Sequence, residues 1–387
     1  MIYLDYAATT PVAPHLVDSI ATSLQSEYGN PSSVHGMGRR ARTILEEARQ
    51  ALAETLHATN EEVFFTSGGT EADNAALIGT ALAMQQAGRS EVIISAVEHH
   101  AVLHAAEHLQ SSGCQVQQLP VNGLGQVEPD ALRSMITKKT GIVSVMHANN
   151  ETGTVQPIAE LAAIAHDGGA RFHTDAVQSF GKIETNLQEM NVDLLSVSAH
   201  KIYGPKGIGA LVIRKGTPNV PILHGGGQES GRRPGTENIA FAQAFAQAAA
   251  DMERLRASEA IRLTQIRFAL LERISRSLDG VILNGHPDET LPTILNISFD
   301  HRVHPLDGEA LIMNLDLEGI AVTSGSACTS GSLVPSHVLL AMGRDERTAR
   351  ATVRFSFGRM TTSEEVMEAA EVLERVVRRM QRPREGG

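Results

Sequence analysis

Short apolar runs rich in β-branched residues recur along the chain, at Val63-Phe64-Phe65, Val92-Ile93-Ile94, Ile142-Val143-Ser144-Val145, residues 192–197 and Leu211-Val212-Ile213. The stretches between them carry helical spacing, so the pattern predicts a βα alternation. Strands that are apolar on both faces and joined by helical crossovers belong to a mostly parallel sheet covered on each side, which places the chain in the α/β class. A further short strand, Arg171-Phe172-His173-Thr174-Asp175, ends in an acid. Near the C-terminus, Ser363-Glu364-Glu365 followed by Val366, Ala369, Ala370, Leu373, Val376 and Val377 predicts a capped amphipathic helix.

Polar clusters follow these strands rather than precede them. Ser67-Gly68-Gly69-Thr70-Glu71 follows the first run, Glu98-His99-His100 the second and Asn149-Asn150-Glu151 the third, while Asp175 and Lys201 end two others. Ligands of such sheets bind beyond the carboxyl ends of the strands, so these clusters are expected to share one site. A lysine where an apolar strand ends loses its proton more easily than one in water, as linkage to a carbonyl cofactor requires. With Asp175 available to keep a pyridine nitrogen protonated, the cofactor suggested is pyridoxal 5'-phosphate. Ser67-Gly68-Gly69-Thr70 reads either as a helix cap or as a phosphate cradle, in which Gly69 lets backbone N–H groups approach the anion. Ser198 and His200 add donors to the same phosphate. His99 is a candidate to lie over the cofactor ring, and Asn150 and Gln178 to bond its hydroxyl. No CxxC spacing appears, and no metal is expected.

At 387 residues the chain is too long for one core of ordinary size, and two domains are expected. The 44 acidic against 33 basic residues leave a net charge of -11, which disfavours nucleic acid and anionic lipid and favours a small-molecule substrate. The N-terminus has no basic and apolar leader pattern, and no apolar run is long enough to span a bilayer, so a cytoplasmic protein is expected. Its two cysteines, Cys114 and Cys328, are not expected to form a disulfide there. Cys328 lies in Thr323-Ser324-Gly325-Ser326-Ala327-Cys328-Thr329-Ser330-Gly331-Ser332, a glycine- and serine-rich loop that reads as either an incidental thiol or a nucleophile.

Taken together, Tyr3-Leu4-Asp5-Tyr6-Ala7-Ala8-Thr9-Thr10, Gly29-Asn30-Pro31-Ser32-Ser33, Glu98-His99, Asn149-Asn150-Glu151, Asp175-x-x-Gln178, His200-Lys201 and Ser324-Gly325-Ser326-Ala327-Cys328 resemble the cysteine desulfurases of the NifS/IscS type, which are class-V aminotransferase-like, fold-type I pyridoxal phosphate enzymes. The resemblance covers nearly the whole chain in order. It implies a large cofactor-binding domain over residues 13–257 and a smaller α+β domain from residues 1–12 and 258–387 that carries the cysteine loop.

By position, the resemblance implies that Lys201 holds the cofactor, Asp175 pairs with its ring nitrogen, His99 stacks on the ring, and Asn150 and Gln178 contact its hydroxyl. Thr70, Ser198 and His200 would bind phosphate, with Thr236 reaching the phosphate of a neighbouring subunit in a homodimer. Arg354 would clamp the substrate carboxylate. Cys328 would take sulfur from L-cysteine as a persulfide and hand it to an acceptor such as an iron-sulfur scaffold protein. A selenocysteine lyase, or a noncatalytic sulfur-relay scaffold on the same fold, is the alternative.

Overall fold

The computed structural model describes residues 1–324 and 335–381. Its twelve strands are, in chain order, β1 (Ile2–Tyr3), β2 (Val63–Thr66), β3 (Glu91–Ser95), β4 (Gln115–Leu119), β5 (Thr140–Ser144), β6 (Arg171–Asp175), β7 (Leu194–Ser198), β8 (Gly209–Ile213), β9 (Val281–Asn284), β10 (Ile294–Phe299), β11 (Ile320–Ala321) and β12 (Thr352–Ser356). Seven of them make one sheet in the order β2-β8-β7-β6-β5-β3-β4. β8 runs antiparallel to both of its neighbours, β2 and β7, and every other pair is parallel. The carboxyl ends of β2, β3, β5, β6 and β7 therefore share one edge, as the placement of the polar clusters requires.

The five apolar runs and the acid-ended run all become strands of this sheet. The remaining strand, β4, differs from the apolar runs in that its sequence, Gln-Val-Gln-Gln-Leu, is mostly polar and partly exposed. As an edge strand it has one neighbour and less apolar surface to bury.

One apolar core covers a face of the sheet with Leu52, Val143, Phe172, Val197 and Phe245, and another covers the opposite face with Leu77, Ile94, Ile142 and Leu194. A separate core joins Leu4 to Leu263, Leu295, Phe355, Leu373 and Val376. It packs on the antiparallel sheet β12-β10-β9. The 39-residue helix Ile239–Ser277 serves both ends of the molecule, burying Phe245 and Met252 in the first core and Leu263 and Leu270 in the last. The expected division near residue 258 falls within this helix.

The C-terminal helix Ser363–Gln381 forms, but its cap is one residue earlier than the sequence suggests. Thr362 N–H donates to the Glu365 carboxylate at 2.9 Å, and Glu365 N–H donates back to Thr362 Oγ1 at 3.2 Å. This reciprocal pair satisfies two helix-start donors, with Thr362 rather than Ser363 as the cap. Among the described residues, no helix is long and apolar enough to cross a membrane.

Candidate active site

A cleft of about 380 Å³ opens at the carboxyl edge of the large sheet. Gly69, Thr70, His99, Asn150, Asp175, Gln178, Ser198, His200, Lys201 and Arg354 all line it. Nine of these residues, spread from Gly69 to Lys201, meet because the strands of the large sheet deliver their last residues to the same rim, and Arg354 joins them from β12 of the other sheet.

β7 ends at Ser198, and a single 3₁₀ turn, Ala199–Lys201, swings Lys201 into the cleft. Its Nζ donates to the carbonyls of Ala7 at 2.6 Å and Ala8 at 2.8 Å. Burial, followed by the nearby Arg354 cation, lowers its pKa to about 8. Two carbonyls thus orient an amine whose charge the surroundings disfavour, the state a carbonyl-trapping lysine needs.

Asp175 ends β6 and is 5% exposed. One of its oxygens accepts the Val177 N–H at 2.8 Å, yet burial still raises its pKa to about 6. A carboxyl in that condition gains from a cationic partner, and a pyridinium nitrogen is such a partner.

The helix Gly69–Gln86 starts at the cleft, and its N-cap, Gly68, has no side chain to cap it. A Cβ on Gly69 would lie 2.7 Å from Val177 Cγ2, so this residue is small because the strand-end turns crowd it. Beside it, Ser198 Oγ is buried with no hydrogen-bond partner. An uncapped helix start next to an unsatisfied buried hydroxyl fits the phosphate of pyridoxal phosphate, and of the two readings of this motif the absence of a side-chain cap favours the cradle. His200 completes this end, its Nδ1 3.2 Å from Thr9 Oγ1.

His99 faces the open cleft while Nδ1 accepts the Ala101 N–H at 3.1 Å, so it also caps the helix His100–Ser111. Crowding by protein from behind, and then Lys201, hold its pKa well below the ordinary histidine value. With Nδ1 accepting, the neutral ring carries its proton on Nε2. Gln178 donates from Nε2 to the Ala7 carbonyl at 2.8 Å and accepts at Oε1 from Lys182 at 3.0 Å, so one of its two donor hydrogens and one of its two acceptor positions are already engaged. Asn150 lines the cleft and gives its backbone carbonyl to Arg354.

Arg354 sits on the antiparallel strand β12, 5% exposed. One terminal nitrogen donates to the Asn150 carbonyl at 2.8 Å and the other to Asp5 Oδ1 at 2.8 Å, while Nε is buried without a partner. Asp5 occupies this guanidinium much as a ligand carboxylate would.

Two expected site residues are not gathered in. Thr236 is exposed and does not line this cleft. Cys328 lies outside the described residues, although Thr323 and His337, which flank that segment, both line the cleft.

Sequence reasoning missed the N-terminal segment as a wall of the site. Besides Asp5, Ala7 and Ala8, Thr10 donates from N and from Oγ1 to the His200 carbonyl, both at 3.0 Å. It also missed the buried Asp73 at the cleft wall and Lys182 behind it, whereas Glu151 lines the cleft as its cluster suggested. Asp73 follows the Gly-Gly-Thr-Glu turn by two residues, which is the one signal that points to it.

Residues 2–368 match the family model for class-V aminotransferases. The chain belongs to this family, among cysteine desulfurases of the NifS/IscS type. It is 44% identical over 383 residues to a cysteine desulfurase IscS of Dictyoglomus turgidum, covering 98% of this chain and 95% of the relative. A solved NifS-like protein superposes with a TM-score of 0.90 at 34% identity, over 97% of this chain and 99% of its own. SspA, solved in complex with cysteine, superposes with a TM-score of 0.79 at 33% identity, over 92% and 99%. The class-V family fixes pyridoxal phosphate as the cofactor, and the NifS-like fold agrees with the α/β architecture described above.

Proposed function

We propose that the protein is a pyridoxal phosphate-dependent cysteine desulfurase that converts L-cysteine to L-alanine and passes the sulfur to Cys328 as a persulfide. The observation that carries this reading is one cleft in which a lysine of lowered pKa, a buried acid, an uncapped helix start and a buried arginine converge. Support comes also from the near full-length likeness to IscS of Dictyoglomus turgidum and to SspA, whose structure holds cysteine.

When bound, pyridoxal phosphate supplies a carbonyl that links to amines and a protonated ring that withdraws electrons from the substrate α-carbon. Lys201 would hold it, Asp175 would keep its ring nitrogen protonated, and His99, Asn150 and Gln178 would contact the ring and its hydroxyl. Gly69, Thr70, Ser198 and His200 would hold the phosphate, with Thr236 supplied by the second subunit of a homodimer. Arg354 exchanges Asp5 for the substrate carboxylate, which orients Cα toward Lys201. Freed by the substrate amine, Lys201 takes the Cα proton at Nζ.

The Cys328 thiolate then attacks the substrate sulfur. A sulfur–sulfur bond forms on Cys328 and the Cβ–sulfur bond breaks, its electron pair remaining on carbon; Cβ takes a proton and Lys201 Nζ returns one to Cα, which gives alanine. The separate core built around β10 and β12 acts as the smaller domain; it holds Arg354, with which Thr323, just before the Cys328 segment, pairs. The acceptor of the sulfur is a protein of the iron-sulfur scaffold kind, met in the cytoplasm.

The test is product analysis. Cofactor-loaded protein with L-cysteine and a reductant should release alanine and sulfide in equal amounts, and Lys201→Ala should release neither. Pyruvate in place of alanine, or full turnover by Lys201→Ala, would overturn the reading.

A further inference from the structure

Lys182 lies seven residues beyond β6, 9% exposed, and its side chain donates from Nζ to Gln178 Oε1 at 3.0 Å. Gln178 is itself 4% exposed, and its Nε2 donates to the Ala7 carbonyl at 2.8 Å. The same carbonyl accepts Lys201 Nζ at 2.6 Å. A continuous chain of buried contacts therefore runs from Lys182 through Gln178 and Ala7 to the cofactor lysine.

The partners decide which way the Gln178 amide faces. A carbonyl can only accept, so Ala7 demands the amide nitrogen, and an ammonium can only donate, so Lys182 demands the amide oxygen. Both constraints select one orientation, which leaves the second Nε2 hydrogen for a ligand in the cleft that Gln178 lines. Without Lys182, Oε1 would be buried and unsatisfied, and the amide would have reason to turn toward another donor.

We infer that Lys182 is a positioning residue, which locks Gln178 with its N–H toward the cofactor hydroxyl and so favours the deprotonated form of the bound cofactor's chromophore. The inference rests on the cofactor reading given above. Burial, and then Lys201, lower the Lys182 pKa to about 7. Above that pH the neutral amine still donates an N–H to Oε1, so the lock persists while its direct charge effect fades. A small cavity of about 20 Å³ beside Lys182, Lys201 and Tyr203 has room for about one water, which can serve the remaining Lys182 hydrogens.

The experiment is a pH titration of the visible absorption of cofactor-loaded protein, for the unaltered chain, Lys182→Met, Lys182→Arg, Gln178→Leu and the Lys182→Met/Gln178→Leu pair. Lys182→Met should raise the midpoint by about 0.5 to 1 unit, roughly a three- to tenfold change in the protonated-to-deprotonated ratio. Lys182→Arg, which still donates to Oε1, should stay nearer the unaltered midpoint, and the pair should match Gln178→Leu alone. An unmoved midpoint in Lys182→Met overturns the proposal, as do equal shifts in the Met and Arg variants or additive shifts in the pair. If the unaltered protein acquires no visible band, the cofactor reading falls as well, so the two failures are distinct.

Discussion

The Lys201 amine owes its lowered pKa first to burial and second to the Arg354 cation, against which Asp175 and Asp5 pull the other way. Because the value is about 8 rather than the ordinary 10.5, the neutral, reactive fraction grows as pH rises through 8. Cofactor capture by cofactor-free protein should therefore accelerate from about pH 6.5 to about pH 9 and then level off. A stopped-flow absorbance series checks this, and a rate that is flat or falls over that range would contradict it. Lys201 and Asp175 were legible in the sequence because each ends an apolar strand, a position that carries its meaning locally. Asp5 and Lys182 were not, because their roles come from contacts with Arg354 and Gln178 that only the folded chain creates.

At the scale of elements, the site depends on how closely the start of the helix Gly69–Gln86 approaches the turn after β6. A Cβ at position 69 would meet Val177 Cγ2 at 2.7 Å, so Gly69→Ala forces one of the two segments to shift. The expected cost is about 1–3 kcal/mol of stability, read from denaturant unfolding, together with roughly tenfold weaker pyridoxal phosphate binding. Unchanged affinity would mean that the helix start does not hold the phosphate. The elements themselves were readable wherever burial was complete: β3, β5 and β7 are buried throughout, carry apolar runs and were found. β4 carries no apolar run because it is a polar edge strand, and the Thr362 cap was displaced by one residue because Ser363 and Thr362 are both capping types.

For the molecule as a whole, the notable residue is Thr236, exposed and away from its own cleft. The segment before it is tied down at two points. Glu229 takes both terminal nitrogens of the buried Arg49 at 2.6 and 2.8 Å, and Arg233 bonds Glu71, in the first turn of the helix that opens the cleft, at 2.8 Å. A segment held this firmly can present Thr236 to a second subunit. Sedimentation should give twice the chain mass, and Thr236→Val should weaken pyridoxal phosphate binding several-fold without dissociating the pair. A monomer that binds the cofactor with full affinity would contradict the shared site. Such a role could not be read from spacing, since Thr236 belongs to no strand end and would act on another copy of the chain.

The central claim is that Cys328 carries the sulfur. It is tested most directly by the mass of the Cys328 peptide after cofactor-loaded protein meets L-cysteine without reductant, with the buried Cys114 as the internal comparison. The account predicts one added sulfur on the Cys328 peptide and none on the Cys114 peptide. An unmodified Cys328 peptide from protein that has turned over cysteine to alanine would contradict it.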